Sequence, residues 1–510
     1  MADENVTIAK NSIFLSIRMI VVLFVSLYTS RAFLHALGVV DYGVYSVVSG
    51  FVSMFSFLNV ALSNGTQRFY NSEMQKNGSK GVTKVYNASL IIQGFIALTI
   101  VILLETFGLW YFFKKMVIPE ARMHIAFWIY QLSVASSVVV VMTASFSGAV
   151  MAYEKMDYYA FVGIVEVFLK LGFALLIPYA PTDKLLAFGC MNLIISLLSF
   201  SLFYLYCKHK IKPIRLNRKV EKELLRGMVG FSGWNCFGTI ACMLREQGLN
   251  MVLNLFFGPV VNAARGIAYQ VSAALQSFVT NLSVAAKPQM ISSFVAGDST
   301  RTINLMYSMS KFSFYFLLIF AIPVIVEIDY ILHLWLGDVI PEHTANFVIL
   351  VLLTNFMNNL NAPLSNVVYA TGKMRNYQLT FSIINILILP FSYIALLKGA
   401  APEAAFGVYL IMTIFVQLGC LLVVRTLVTI SLREYLFKLI LPLLIVGLIS
   451  LPLPYAAHLF INHNFLRLVV VTFVSFVVSS VAFYLIALAD NEKQLVNRML
   501  LALKYKIKKS

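Results

Sequence analysis

Residues 245–289 of this chain read REQGLNMVLNLFFGPVVNAARGIAYQVSAALQSFVTNLSVAAKPQ. Two apolar stretches meet in this segment at Gly258 and Pro259, a dipeptide that ends one helix and begins the next. A rotation of 100° per residue places the polar side chains of the second stretch on one narrow face. These side chains are Asn262, Arg265, Tyr269, Ser272, Gln276, Thr280, Ser283 and Lys287. The first stretch begins before residue 245 and has a similar face. This face is formed by Asn235, Thr239, Cys242, Glu246 and Asn250.

Two explanations account for polar faces on such apolar helices. Small polar side chains, such as serine and asparagine, often hold neighbouring membrane helices together. This explanation suits the hydroxyl groups but not Arg265, because it is costly to bury a guanidinium in hydrocarbon. With the arginine included, the sequence favours helices whose polar faces line a water-filled cavity.

The composition of the whole chain is that of a membrane protein. Of its 510 residues, 60% are hydrophobic and only 12% are charged. Apolar runs of about 20 residues, the length that crosses a bilayer as a helix, recur from end to end. We therefore predict an all-α, polytopic membrane protein with about 14 transmembrane helices. The predicted spans are 12–34, 42–64, 85–109, 121–150, 160–180, 184–206, 230–257, 260–285, 302–327, 344–369, 377–397, 403–424, 435–457 and 465–488.

Several classes of protein are disfavoured by what the sequence lacks. The five cysteines include no C-x-x-C pair and the seven histidines show no ligand spacing, so we expect no disulfide framework and no metal site. The polar N-terminal segment MADENVTIAKNS is not followed by the cleavage pattern of a signal peptide. Phosphate-binding glycine loops, catalytic triads and zinc motifs are also missing from the sequence. We expect neither an enzyme nor a bound cofactor.

The net charge of +17 has a topological explanation. Most basic residues lie in short connections on one side of the predicted membrane, and the longest such connection is the basic run 207–227. The positive-inside rule places this run and both termini in the cytoplasm. Because the excess charge sets topology, we predict no nucleic-acid partner.

The basic run 207–227 divides the first twelve spans into six and six. Residues 37–68 resemble residues 256–289 at an offset of about 220 residues, with Gly38 aligned to Gly258. The earlier segment has a polar face of its own, formed by Tyr42, Ser46, Ser49, Ser53, Ser56, Ser63 and Gln67. We therefore predict two homologous six-helix lobes, with a binding site between them near the midplane of the membrane.

The predicted domains follow from this duplication. Residues 1–227 form the N-terminal lobe and residues 228–433 the C-terminal lobe. Residues 434–510 contain two further helices and a basic cytoplasmic tail.

An excess of arginine at membrane depth indicates an anionic ligand. A guanidinium holds phosphate oxygens with two hydrogen bonds and stays charged at any relevant pH. The candidate substrate-binding residues are Arg18, Arg31, Arg245, Asn262, Arg265, Gln276, Asn355 and Asn359. Three of the charged groups have simpler explanations: Arg31 can extend to the headgroups, and Glu166 and Lys170, four residues apart on the same helix, can neutralise each other.

Four segments resemble the polysaccharide-biosynthesis flippases, the Wzx-type members of the multidrug/oligosaccharidyl-lipid/polysaccharide (MOP) exporter superfamily. They are LYTSRAFLHALGVVDYGVYSVVSG (27–50), SNGTQRF (63–69), GPVVNAARGIAYQV (258–271) and KPQM (287–290). The resemblance covers nearly the whole chain. It implies a MATE-like fold of two six-helix lobes with two C-terminal helices.

The resemblance also implies a function. Such proteins move undecaprenyl-diphosphate-linked oligosaccharide from the cytoplasmic to the periplasmic leaflet of the bacterial inner membrane by alternating access. This step serves the biosynthesis of O-antigen, capsule or exopolysaccharide. The implied partners are the lipid-linked oligosaccharide, membrane lipids, and a glycan polymerase with other polysaccharide-assembly proteins.

Related flippases set cavity arginines against the diphosphate, and the candidates for this role here are Arg18, Arg31, Arg245 and Arg265. Many relatives also draw on an ion gradient. The acidic residue that some drug-exporting relatives place on helix 1 is absent from this sequence. Glu246, on the polar face of its helix, is the candidate for coupling, either as a proton carrier or as the partner of an arginine between turnovers.

Three other functions stay open at this point. A MATE-type drug or cation antiporter should have an acidic cavity, whereas this one is basic. A membrane glycan polymerase or ligase should have a large periplasmic loop, and no predicted outer loop is long. A scaffold protein would not need polar faces directed inward.

Overall fold

The computed structural model is predominantly helical in the residues that it describes, which confirms the all-α prediction. It describes residues 2–55, 57–153, 155–210, 222–371, 373–428, 430–462, 464–494 and 497. Within these ranges no β-strand occurs. The centre of the basic run 207–227 and most of the basic tail lie outside the described residues.

Seventeen α-helices make up this part of the chain. The first eight are α1 (Ala2–Met54), α2 (Phe57–Leu103), α3 (Leu109–Lys114), α4 (Met123–Ala152), α5 (Met156–Leu176), α6 (Lys184–Lys210), α7 (Lys222–Phe257) and α8 (Pro259–Val295). They are followed by α9 (Ser299–Val326), α10 (Ile328–Leu336), α11 (Thr344–Thr371), α12 (Arg375–Leu397), α13 (Glu403–Arg425), α14 (Leu432–Tyr435), α15 (Leu441–Ser450), α16 (Pro452–Phe460) and α17 (Phe465–Ala482).

The predicted spans all have helical counterparts. Among the described residues, 11 helices are long and apolar enough to cross a membrane. The first two predicted spans are joined within α1, which kinks at Gly38. The spans predicted at 230–257 and 260–285 correspond to α7 and α8, whose amide and charged side chains make them less apolar than the others.

Two glycines that the internal repeat aligns share an unusual backbone conformation. Gly38 has φ 79° and Gly258 has φ 72°, a region that side chains other than glycine rarely adopt. Gly38 separates the two halves of α1, and Gly258 separates α7 from α8. This correspondence supports the alignment of the two segments.

Contacts divide the chain into two compact units. Unit 1 consists of Met1–Ile267, Trp335–Thr344 and Asn385–Ala405, and unit 2 consists of Ala268–Leu334, Ala345–Ile384 and Phe406–Ser510. The lobes predicted at 1–227 and 228–433 remain a prediction.

The core of unit 1 is built from aromatic and aliphatic side chains. Helix α4 packs against α2 and α6, and α1 packs against α5 and α7. Phe51, Phe112 and Tyr130 are among the largest side chains that are fully buried. Large apolar side chains such as Phe95 are exposed on the outer faces of the helices, as expected of surfaces that contact lipid.

In unit 2 a buried charge cluster joins three helices. The side chain of Glu327, directly after α9, is completely buried. Arg467 of α17 donates to this carboxylate from Nη2 at 2.7 Å, and the Nδ1 atom of His458 in α16 lies 2.9 Å from it. Because a buried charge without its partner is costly, this cluster fixes α16 and α17 to the end of α9.

Candidate functional site

Two buried arginines of unit 1 converge on Glu246 in α7. Arg245 is 8% exposed and Arg265 is 5% exposed. Arg245 donates from Nη2 to the Glu246 carboxylate at 3.0 Å and from Nη1 to Oδ1 of Asn385 at 2.7 Å. Arg265 donates from Nη2 to the main-chain carbonyl of Glu246. We call these four residues the arginine cluster.

The arginine cluster holds two guanidinium groups against one carboxylate. The Glu246 side chain is 39% exposed, whereas that of Arg245 is only 10% exposed. The carboxylate is therefore the more accessible partner of this ion pair, and the guanidinium is the buried one. The ion pair is the contact required by the hypothesis that Glu246 holds an arginine between turnovers; its role in coupling stays a prediction.

A buried amide network lies between α7 and α8. Asn262 donates from Nδ2 to the main-chain and side-chain oxygens of Asn250 at 2.8 and 2.7 Å, and its own Oδ1 accepts from Asn254 at 3.1 Å. Asn254 also exchanges hydrogen bonds of 2.9 and 3.1 Å with the backbone of Val117. The three asparagines are at most 1% exposed. The polar face therefore serves helix packing at Asn262, and the predicted contact of this residue with substrate remains untested.

The second half of α1 crosses α8 at very close range. A Cβ atom on Gly43 would lie 1.9 Å from the carbonyl oxygen of Pro259. The Ser46 hydroxyl donates to the carbonyl of Asn262 at 3.5 Å, and Asn250 donates to the carbonyl of Ser46 at 3.2 Å. The polar faces of the two repeated segments thus contact each other here, and this part of both faces acts in packing.

Further along α1, the same face borders a cavity of about 570 Å³ inside unit 1. Ser49 and Ser53 lie on its wall with hydroxyl groups from α4 and α6, namely Ser133, Ser136, Ser137, Thr143, Ser147, Ser196 and Ser199. Glu166 and Lys170 of α5 also line it. No ion pair joins these two within the described part of the chain, so they do not form the neutralising pair that the sequence analysis expected.

Three of the predicted site residues lie in unit 2. Asn355 of α11 donates to the hydroxyl of Ser272 in α8 at 2.7 Å, and both side chains are buried. Asn359 is buried as well, and its amide nitrogen has no hydrogen-bond acceptor among the described residues. Gln276 is half-buried. Asn355 and Ser272 therefore join two predicted polar faces inside this unit.

Of the remaining two predicted arginines, the structure places Arg31 outside the arginine cluster and does not describe the side chain of Arg18. Arg31 is half-buried and lines a separate pocket of unit 1 together with His35 and Lys184. Arg18 belongs to α1, but its side chain lies outside the described residues.

Two residues of these networks, Asn385 and Asn254, are not among the residues that the sequence patterns marked. Asn385 is an amide within an apolar span, which is the signal that identified Asn355 and Asn359, and it could have been found in the same way. Asn254 lies one turn after Asn250 and about 40° from it around the helix, so extending the polar face of α7 by one turn could have identified it. Its role depends on Val117, which is distant in sequence.

Several solved structures of known proteins share the fold of this chain. No protein-family model matches the chain, and no curated protein does. The lipid II flippase MurJ, in its inward-closed conformation, is similar with a TM-score of 0.69 and 16% identity over 93% of this chain and 99% of that chain. An inward-facing multidrug resistance MATE family transporter of the MOP superfamily has a TM-score of 0.67 and 13% identity over 80% of this chain and 98% of that chain.

A third similar structure is a MOP superfamily transporter from Pyrococcus furiosus whose binding pocket is described as having reverse polarity. Its TM-score is 0.55, with 12% identity over 82% of this chain and 95% of that chain. All three similar proteins are transporters or flippases. The chain is a multi-pass membrane protein with the fold of the MOP superfamily transporters, which confirms the predicted MATE-like fold class.

Proposed function

We propose that this chain is a flippase that moves undecaprenyl-diphosphate-linked oligosaccharide across the bacterial inner membrane by alternating access, for the biosynthesis of surface polysaccharide. The observation that carries the proposal is the arginine cluster. Arg245 and Arg265 place two buried guanidinium groups beside one partly exposed carboxylate.

The cluster suits a diphosphate for a physical reason. The headgroup of a lipid-linked oligosaccharide has to leave bulk water while it keeps its negative charge, which costs free energy. A guanidinium that is already fixed offsets this cost, and its planar fork matches two phosphate oxygens. Asn385 and the main-chain carbonyl of Glu246 hold the two guanidinium groups in place before the ligand arrives.

In the proposed transport cycle, Glu246 is the partner of Arg245 in the substrate-free state. Without substrate, its carboxylate neutralises Arg245. When the diphosphate binds Arg245, Glu246 is released and becomes available to take up a proton. After the headgroup has left, the return of Glu246 to Arg245 restores the substrate-free state. This exchange would link transport to a proton gradient.

The similar structures include both a lipid flippase and a multidrug transporter. The charge of the arginine cluster favours the flippase function over export of cationic drugs. Two guanidinium groups against one carboxylate repel an organic cation and attract an anion. Export of cationic drugs is therefore the less favoured function. The similarity to the lipid II flippase MurJ, over 93% of this chain, agrees with a lipid-linked substrate.

Substitution of Arg265 in cells tests the proposal. We expect Arg265→Ala to insert and fold normally but to fail in glycan export, because loss of one partner of a charge-assisted contact costs about 2–5 kcal/mol. Arg265→Lys should restore export only in part, since lysine lacks the fork geometry. The measurements are the amount of folded protein in the membrane and the amount of polysaccharide at the cell surface.

A matched variant distinguishes a role of Arg265 in substrate binding from a purely structural role in holding the helices together. Arg467→Ala also removes a buried arginine, but one that belongs to the charge cluster of unit 2. It should lower the amount of folded protein, and export should fall only in proportion. If Arg265→Ala folds well and exports glycan at the wild-type level, the anion-binding role is excluded.

A further inference from the structure

A second group of basic side chains lines a pocket of about 620 Å³ in unit 1. Arg31 and His35 come from α1, one turn apart, and Lys184 is the first residue of α6. Tyr28 and Tyr179 also line the pocket and are 53% and 84% exposed. The pocket therefore combines basic groups with tyrosines that reach outward.

The pocket lies beside a separate set of ion pairs at the same end of unit 1. Arg122 donates to the carboxylates of Asp41 and Asp183, the latter at 2.5 Å. Asp183 also accepts from the backbone N–H of Leu185 at the start of α6, at 2.9 Å. These carboxylates are thus already engaged by Arg122 and by the helix terminus. They leave Lys184, an exposed side chain, to contribute its charge to the pocket.

The other walls of the pocket are apolar. They are formed by Ala32, Ala36, Ala174, Leu175 and Pro178, from α1, α5 and the turn after α5. Leu175 is 49% exposed, which is typical of a side chain that faces lipid. Basic residues and tyrosines above an apolar wall are the features that hold lipid headgroups at a membrane interface. A phosphate can lie against the cations while its acyl chains follow the apolar wall.

We propose that this pocket binds the phosphate headgroup of a membrane lipid. By the predicted topology it opens to the periplasmic leaflet. The phosphate can belong to an anionic phospholipid of the bilayer or to the undecaprenyl carrier after it has crossed. Binding of a lipid phosphate is inferred from the pocket alone, and only the carrier as its source rests on the proposed flippase activity.

Lipid binding to the purified full-length chain, measured by native mass spectrometry, tests the proposal. The probes are dioleoylphosphatidylglycerol, uncharged dioleoylglycerol and undecaprenyl diphosphate. Lys184→Gln should weaken binding of a phosphate-bearing lipid about fivefold, which corresponds to about 1 kcal/mol for one basic residue near an anionic surface. Dioleoylglycerol should bind equally to both proteins. Because Lys184 is exposed, this variant should keep the wild-type melting temperature.

The matched control is Lys398→Gln, which removes another exposed lysine of unit 1, next to the end of α12 and outside the pocket. It should leave binding of all three probes unchanged. A loss confined to dioleoylphosphatidylglycerol would identify the ligand as a bilayer phospholipid, and a loss confined to undecaprenyl diphosphate would identify it as the carrier. Equal binding of every probe to wild type and Lys184→Gln, or an equal loss in Lys398→Gln, would overturn the proposal.

Discussion

At the residue scale, Glu246 has two separable roles in the arginine cluster. Its carboxylate pairs with Arg245, whereas its main-chain carbonyl accepts from Arg265. Glu246→Gln removes the negative charge and keeps the carbonyl, so only the contact with Arg245 changes in charge. We predict that this variant folds, exports glycan more slowly than wild type, and loses the dependence of export on the proton gradient. The measurement is the export rate with and without a protonophore.

A surface carboxylate provides the control for this prediction. Glu434 is exposed and pairs with Lys438 one turn away. Glu434→Gln should leave both the export rate and its response to the protonophore unchanged. If Glu246→Gln behaves in the same way as this control, Glu246 has no role in coupling.

The close crossing of α1 and α8 predicts a strong effect of a single methyl group. A Cβ on Gly43 would collide with the backbone of Pro259, which cannot rotate away as a side chain can. Gly43→Ala should lower the free energy of unfolding by about 1–3 kcal/mol, the usual cost of overpacking. Gly172→Ala in α5 meets no atom within 4 Å and should be neutral or stabilise the helix by up to about 1 kcal/mol. Thermal unfolding of both variants in detergent measures the difference.

At the element scale, the charge cluster of unit 2 should decide how firmly α16 and α17 are held. Glu327→Gln leaves the Arg467 guanidinium buried without a counter-charge, which should cost about 3–5 kcal/mol. His458→Gln should cost less, because the His458 side chain is 29% exposed and water can replace part of the contact. The melting temperatures of the two variants show which substitution destabilises the protein more. Hydrogen exchange should show a loss of protection in α16 and α17. Equal stability of Glu327→Gln and wild type would contradict this role.

The order of the elements could be predicted from the sequence, because long apolar runs fix where helices cross a membrane. The span predicted at 465–488, for example, corresponds to α17 and the helical turn that follows it. The cluster around Glu327 could not be predicted. Arg467 and His458 are more than a hundred residues from Glu327, and nothing in the sequence pairs them.

In the candidate site, too, the tertiary partners of the side chains could not be predicted from the sequence. Helical periodicity placed Asn262 and Arg265 on one face of α8, but it could not say which neighbour each would meet. In the structure Asn262 contacts Asn250, and Arg265 contacts the backbone of Glu246. Arg31, at the outer end of its predicted span, is a candidate for the diphosphate in the sequence, whereas the structure places it in a pocket with Lys184. Charge and depth can be estimated from a sequence, and the partners of a side chain depend on tertiary packing.

At the scale of the whole molecule, the distribution of Lys and Arg predicts that both termini and the basic run 207–227 lie in the cytoplasm. A cysteine introduced at Asn217, in a variant without the five native cysteines, should be protected from a membrane-impermeant maleimide in intact cells. It should react once the inner membrane is opened. Labelling of this cysteine in intact cells would show that the run faces the periplasm and that the predicted topology is inverted.

Transport of the lipid in a purified system tests the central claim most directly. The chain is reconstituted into liposomes whose outer leaflet contains undecaprenyl-diphosphate-linked oligosaccharide, and the sugar that stays accessible to an external lectin is followed over time. Wild-type protein should remove the sugar from the outer leaflet, whereas Arg265→Ala liposomes should match protein-free liposomes. If wild-type protein moves the lipid no faster than protein-free liposomes do, the chain is not a flippase for this substrate.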